Sequence, residues 1–238
     1  DDASTDNSNE KVINYIDKSY NNIIIDLNLE NSGNVFSQWK KGISKAKGDY
    51  IWIAEADDLS DRYFLENIMK GFEYDNVVIS YSQSKQINEA GSIIANEYLY
   101  YTNDVDIHKW STDYVNNGVD EIKQCMSIKN TIPNISAVVV KKVNNINVIC
   151  SEIDNYKVAG DWLFYINLLE IGNIYFCSKS LNYHRRHEDS IVKTVNNKIH
   201  FNEIVAIQNY ISNKYDLSKE ISNKVQLYRT IVKKYLKV

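Results

Sequence analysis

Ile51-Trp52-Ile53-Ala54-Glu55-Ala56-Asp57-Asp58 is the stretch on which the fold turns. An apolar run stops abruptly at three carboxylates within four positions. Tyr50 to Ala54 is too short for a helix and apolar on both alternating faces, the pattern of a strand buried in a parallel sheet. In open α/β sheets such strands deliver side chains into a crevice beyond their carboxyl ends, where ligands bind. Carboxylates this close repel one another unless something positive lies between them. Oxygen ligands at that density suit Mg²⁺ or Mn²⁺, whose natural co-ligand is a phosphate. A solvated loop in which Asp58, Ser60 or Asp61 caps the next helix accounts for part of this acidity. It does not account for a buried strand ending in Glu55 and Asp57.

Outward from this stretch, helix and strand alternate. Toward the N-terminus, Phe36, Trp39, Ile43 and Ala46 recur at helical spacing. Asn31-Ser32-Gly33-Asn34 forms a turn and a cap before that helix, and Gly48 ends it. Ile23-Ile24-Ile25 reads as a strand, and residues 8–19, with Val12, Ile13 and Ile16, as a helix. Toward the C-terminus, Phe64, Leu65, Ile68, Met69 and Phe72 predict an amphipathic helix, and Val77-Val78-Ile79 a strand. This alternation is that of a doubly wound sheet. Residues 86–94 read as a hairpin or loop around Gly91, and residues 95–130 show no clear period. Strands are expected at 136–140 and 174–177, and helices at 161–170, 199–213 and 218–237. One domain over residues 1–195 with a helical appendage over 196–238 is the simplest organisation.

Composition narrows the function. A net charge of −4 and a pI of about 5.6 argue against a nucleic-acid binder. Cys125, Cys150 and Cys177 are odd in number and widely spaced, which gives neither a disulfide framework nor a zinc pattern. Reduced thiols and a cytoplasmic setting are expected. No apolar run approaches membrane-spanning length. The lysines of the last helices, Lys214 to Lys237, alternate with apolar residues. They read as the solvated face of a helix packed on the core, with peripheral contact to an anionic membrane as the competing reading.

Three further motifs carry chemistry. Asp1-Asp2-Ala3-Ser4-Thr5-Asp6 is by itself a loop rich in capping residues; beside a strand end its carboxylates accept hydrogen bonds from a base or ribose. Gly160-Asp161-Trp162 opens a helix, where an acid serves either as a cap or as a general base. Tyr183-His184-Arg185-Arg186-His187 holds two of the chain's four arginines and suits a diphosphate or a metal. Its alternative is a positive surface turn balanced by Glu188 and Asp189.

Taken in order, these motifs resemble the family 2 glycosyltransferases of the GT-A fold. Asp1-Asp2-Ala3-Ser4-Thr5-Asp6, Asn31-Ser32-Gly33-Asn34, Ala46-Lys47-Gly48-Asp49-Tyr50-Ile51 and Glu55-Ala56-Asp57-Asp58 carry the likeness over about residues 1–65, with Gly160-Asp161-Trp162 and the Arg/His segment following. The resemblance implies an α/β, Rossmann-like, mostly parallel sheet flanked by helices. It implies metal-dependent, inverting transfer of a sugar from a nucleotide-diphosphate sugar to a hydroxyl of a glycan or lipid-linked acceptor. Asp2 and Ser4 would meet the nucleotide, Asp57 the ribose and diphosphate, and Asp57, Asp58 and His184 the Mn²⁺ or Mg²⁺. Arg186 and His187 would lie by the diphosphate, and Asp161 would be the catalytic base. Bacterial surface polysaccharide assembly is the corresponding setting. The chain departs from the pattern in Glu55, where many members have Asp, and in Trp39-Lys40, where many have Arg-Asn. The family's first strand and the helix after it have no counterpart, so a truncated and poorly active chain is expected. A nucleotidyltransferase and a non-catalytic nucleotide-sugar-binding module are the competing functions; the former lacks its glycine-rich phosphate loop here.

Overall fold

The structure, a computed structural model, describes residues 1–16, 22–187 and 195–238. The chain opens with the acidic loop and helix α1 (Ser8–Tyr15), which buries no residue. Gly33 turns the chain with φ +64°, a conformation that costs glycine little, and the Asn34 side chain then accepts the Phe36 N–H to start α2 (Val35–Lys45). The periodic Phe36, Trp39 and Ile43 are the buried stripe of α2. The helix ends at Lys45, before Gly48, because Ala46 is already extended.

Strand β1 (Tyr50–Trp52) follows, then β2 (Leu59–Ser60), α3 (Phe64–Met69), β3 (Val77–Ile87) and β4 (Ile93–Ala95). The β3–β4 hairpin turns at Gly91, as its position predicts. The segment without a period folds into short pieces, α4 (Leu99–Thr102), β5 (Tyr114–Asn116) and α5 (Gly118–Glu121). Then come β6 (Val138–Lys141), α6 (Ile146–Ile153), α7 (Gly160–Leu169) and β7 (Asn173–Arg185). Two long helices, α8 (Asn197–Lys214) and α9 (Lys219–Leu236), complete the chain close to the bounds read from the sequence.

Among the described residues seven strands make one sheet, ordered β1-β6-β3-β7-β2, with β4 beside β3 and β5 beside β7. The layered α/β class is as expected. Strand direction differs from the mostly parallel expectation: β3 and β7 pair in parallel, whereas β6 runs antiparallel to both β1 and β3. Strand β1 resembles a strand of a parallel sheet because it is apolar on both faces, each covered by helical residues. Ile51 joins the core against α2, while the Tyr50 ring packs tilted against Phe72, centroids 4.5 Å apart, and Trp52 against Phe64 at 5.0 Å. Alternation along the strands splits the core in the same way. Ile79, Tyr81, Val138, Val140 and Phe176 face a large cluster shared with α2, α6, α7, α8 and α9, and Val139, Tyr175 and Cys177 face a smaller one with Phe64 and Ile68.

Ile23-Ile24-Ile25 is a correction. These residues form no strand, and Ile24 is 61% exposed. They run beside α2, tied by Asp26 to Lys41 and Lys45, and find no ladder partner among the described residues. β-branched composition favours an extended backbone but cannot supply a neighbour. Of the predicted helix at 8–19, residues 17–19 lie outside the described residues, as do Glu188 and Asp189.

Candidate active site

A cleft of about 1130 Å³ opens where β1 ends. Its wall includes Asp1, Asp2, Glu55, Asp57, Asp161, His184, Arg186 and His187, drawn from distant parts of the chain.

Ser136, buried after Pro133, holds the strand end. Its Oγ accepts the Glu55 N–H at 3.0 Å, and its carbonyl accepts the Trp52 indole N–H at 2.8 Å. Beyond this anchor the chain turns and presents Glu55, Asp57 and Asp58, whose carboxylate oxygens lie within 4.8 Å of one another. Burial pushes the Glu55 carboxyl up to about 7, with Asp58, Asp57 and Asp161 adding repulsion. Asp58 Oδ1 accepts the Arg185 N–H at 2.8 Å, and its Oδ2 is buried with no hydrogen-bond partner among the described residues. A buried carboxylate oxygen without a donor is costly, and a cation among the three acids would satisfy it. This trio therefore fits a hard divalent ion. His184 lines the same cleft outside this trio of acids; its Nδ1 meets the Tyr98 hydroxyl at 2.6 Å, and burial lowers its pKa.

β7 brings up the basic segment from the far side. Arg185, not Arg186, grips the acidic turn: its Nε donates to the Asp57 carbonyl at 2.7 Å, and its Nη1 to the carbonyls of Asn88 and Glu89. Arg186 is exposed at the cleft. His187 Nε2 lies 3.0 Å from Asp57 Oδ2, and its Nδ1 faces Glu89 at 3.8 Å.

The N-terminal loop adds Asp1 and Asp2 to the lining. Ala3 takes φ 60°, a strained value for a residue with a Cβ, while Asp1 accepts the Ser4 N–H and hydroxyl. That turn aims Asp2 at the second motif. Asp2 accepts from the Ser32 N–H and hydroxyl at 2.8 Å, from Asn28 at 2.7 Å and from Gln38 at 3.0 Å. Slight desolvation acts to raise its pKa, but these bonds prevail and hold the carboxyl below its ordinary value. Ser4 is spent on Asp1 and does not line the cleft.

Asp161 closes the site from the second position of α7. Its Oδ1 accepts the Trp162 N–H at 2.7 Å, and its Oδ2 accepts the Asn130 amide at 2.9 Å. Burial outweighs these bonds and pushes its carboxyl up to about 7. An acid at a helix start is ordinarily stabilised as its anion; here burial overrides that.

The family model described as glycosyl transferase family 2 matches residues 1–124, more than half of the chain. The chain belongs to this family. No curated protein matches it at a significant level. Among solved structures it is similar to S. aureus TarS 1-349 in complex with UDP-GlcNAc, at 14% identity and a TM-score of 0.65, over 96% of this chain and 60% of that one. It is also similar to TarS 1-349 in complex with UDP, at 13% identity and a TM-score of 0.59. This chain thus spans about 60% of the length of TarS 1-349, and what the two share is a fold. The family match contains Asp2 and the acidic turn, while Asp161 and the Arg/His segment lie beyond it.

The sequence pairs Arg185 with Arg186 as diphosphate ligands, whereas Arg185 grips the acidic turn, and it carries no sign of Asn130. Neighbouring residues on a strand face opposite ways, so the alternation of β7 separates Arg185 from Arg186. Asn130 sits in the segment without a period and gave no signal.

Proposed function

We propose that this chain transfers a glycosyl group from a nucleotide-diphosphate sugar to an acceptor hydroxyl with inversion at the anomeric carbon. The observation that carries this reading is the meeting of Glu55, Asp57 and Asp161 in one cleft, with Asp161 poised near neutrality. A proton acceptor works best when its pKa lies near the working pH. Asp161 takes the proton of the acceptor hydroxyl as that oxygen bonds to the anomeric carbon. The carbon–oxygen bond to the diphosphate breaks on the opposite face, and the nucleoside diphosphate leaves with the electron pair. Asn130 keeps one oxygen of Asp161 oriented. Arg186 and His187 face the departing charge from the cleft wall. Glu55, Asp57 and Asp58 would hold Mn²⁺ or Mg²⁺, which when bound offsets the charge that develops on the diphosphate. Asp2 fixes the Ser32 turn against which a nucleoside would rest.

The donor reading draws on the family and on the nucleotide-bound relatives. The test is a panel of nucleotide-sugars, UDP-N-acetylglucosamine first, with Mn²⁺ and a thermal-shift readout. Turnover of a donor, and its loss in Asp161→Asn by a factor of about 10²–10⁴ with donor affinity kept, is the expected result. Undiminished turnover in that variant removes Asp161 from the role of base. Donor binding without any turnover by the parent chain favours a non-catalytic module.

In this reading residues 1–195 form the catalytic unit and 196–238 its helical appendage. Among the described residues no helix is long and apolar enough to cross a membrane. Helix α9 packs through Val225, Val232 and Leu236, yet Leu227, Ile231 and Tyr235 point outward on one stripe beside Lys234. A basic helix with an outward apolar stripe suits an anionic membrane surface and a lipid-linked acceptor. Flotation with phosphatidylserine vesicles, lost in Leu227→Ser/Ile231→Ser, is expected; equal flotation of the double variant refutes the contact.

A further inference from the structure

The carboxylate of Glu203 meets three consecutive backbone donors. Its Oε1 accepts the Lys157 N–H at 2.7 Å, and its Oε2 accepts those of Val158 and Ala159 at 2.9 Å each. Glu203 belongs to α8, in the helical appendage, whereas residues 157–159 lead directly into α7 and Asp161. Ala159 stands at the cap position of α7 and has no side chain able to accept a hydrogen bond there. Glu203 instead binds the three amides that precede the helix, and its charge lies by the positive end of the α7 dipole. Lys157 and Val158 themselves line the cleft. The same segment is pinned from the other side, because a Cβ at Gly160 would come within 2.7–2.8 Å of the Phe36 ring. Helix α8 has a second grip. Gln208, fully buried, donates to the Ile128 carbonyl at 2.7 Å, two residues before Asn130, and is itself held by Arg229 of α9. Both members of the Asn130–Asp161 pair are thus braced by the same helix.

We propose that Glu203 is a positioning residue for glycosyl transfer, fixing the 157–159 segment so that Asp161 is held against Asn130 at the cleft. The inference rests on the reading of Asp161 as base. Two measurements on the full chain decide it. By hydrogen–deuterium exchange, Glu203→Gln and Glu203→Ala are expected to speed exchange at the amides of residues 157–159; unchanged exchange overturns the proposal whatever the activity. By single turnover of UDP-N-acetylglucosamine with Mn²⁺, Glu203→Ala is expected to lower the rate about 10–100-fold, since misplacement by an ångström is that costly. Donor affinity should change by less than about threefold, and Glu203→Gln, which keeps one acceptor oxygen, should lose less than Glu203→Ala. Added to Asp161→Asn, Glu203→Ala should cost little more, because two residues acting on one step are not additive. An equal loss on that background, or no loss in the parent, overturns the role of Glu203. Should Glu203→Ala not fold, Glu203→Gln is judged by the same measurements. If Asp161→Asn itself turns over donor normally, the base assignment fails, and exchange at 157–159 still reports on Glu203.

Discussion

Two aspartates from distant parts of the chain line the same cleft and are treated in opposite ways. Asp2 sits in a polar web in which Ser32, Asn28 and Gln38 all donate to it, and its carboxyl is held below the ordinary range. Asp161 is buried with two donors, and its carboxyl rises to about 7. Hydrogen bonds to the charged form and desolvation of it are opposed effects, and the count of donors against the depth of burial decides which prevails. The first arrangement makes a permanent anion that organises a turn. The second makes a group that can exchange a proton at neutral pH. Residue type alone therefore says little about an acid at a ligand site; its donors and its burial assign the task.

The contrast can be broken at either aspartate. The largest effect is the loss of turnover expected in Asp161→Asn, with donor binding intact. Next is pH. Transfer needs Asp161 ionised, so the rate of the chemical step should fall about tenfold per unit below pH 7 and level off above it; a flat profile from pH 5 to 8 would count against Asp161 as base. Stability should move the other way. Between about pH 4 and 7 the folded chain binds protons at Asp161 and Glu55 that the unfolded chain has released, so stability falls as pH rises through about 7. A smaller effect is expected from Asp2→Ala, which frees the Ser32 turn. Donor affinity should drop about tenfold, or ~1.4 kcal/mol, with the rate at saturation unchanged. A larger fall in that saturating rate than in affinity would move Asp2 from organising the site to the chemistry itself.

The local elements that position the site could be read from the sequence because their signals are local. The cap at Asn34, the stripe Phe36-Trp39-Ile43, the turn at Gly91 and the last two helices all appear where period and cap residues put them. Asp2, Asp57 and Asp161 line one cleft, the meeting that the order of the motifs implies. What stayed hidden depends on partners far along the chain. The antiparallel pairing of β1 with β6 and the unpaired course of Ile23 to Ile25 are decided by neighbours, not by propensity. The grip of Arg185 on a turn 128 residues earlier, and that of Glu203 on residues 157–159, leave no periodic mark.

The run from Ile23 to Leu29 also bears on how molecules of this chain meet one another. Ile23, Ile24, Ile25, Leu27 and Leu29 are all open to water, and nearby β1 is the end strand of the described sheet. Apolar side chains beside a sheet margin with spare backbone donors and acceptors form a template for intermolecular strand pairing. At high concentration, adhesion between copies should therefore begin at this margin, and a lysine introduced at Ile24 should slow it without touching the cleft chemistry.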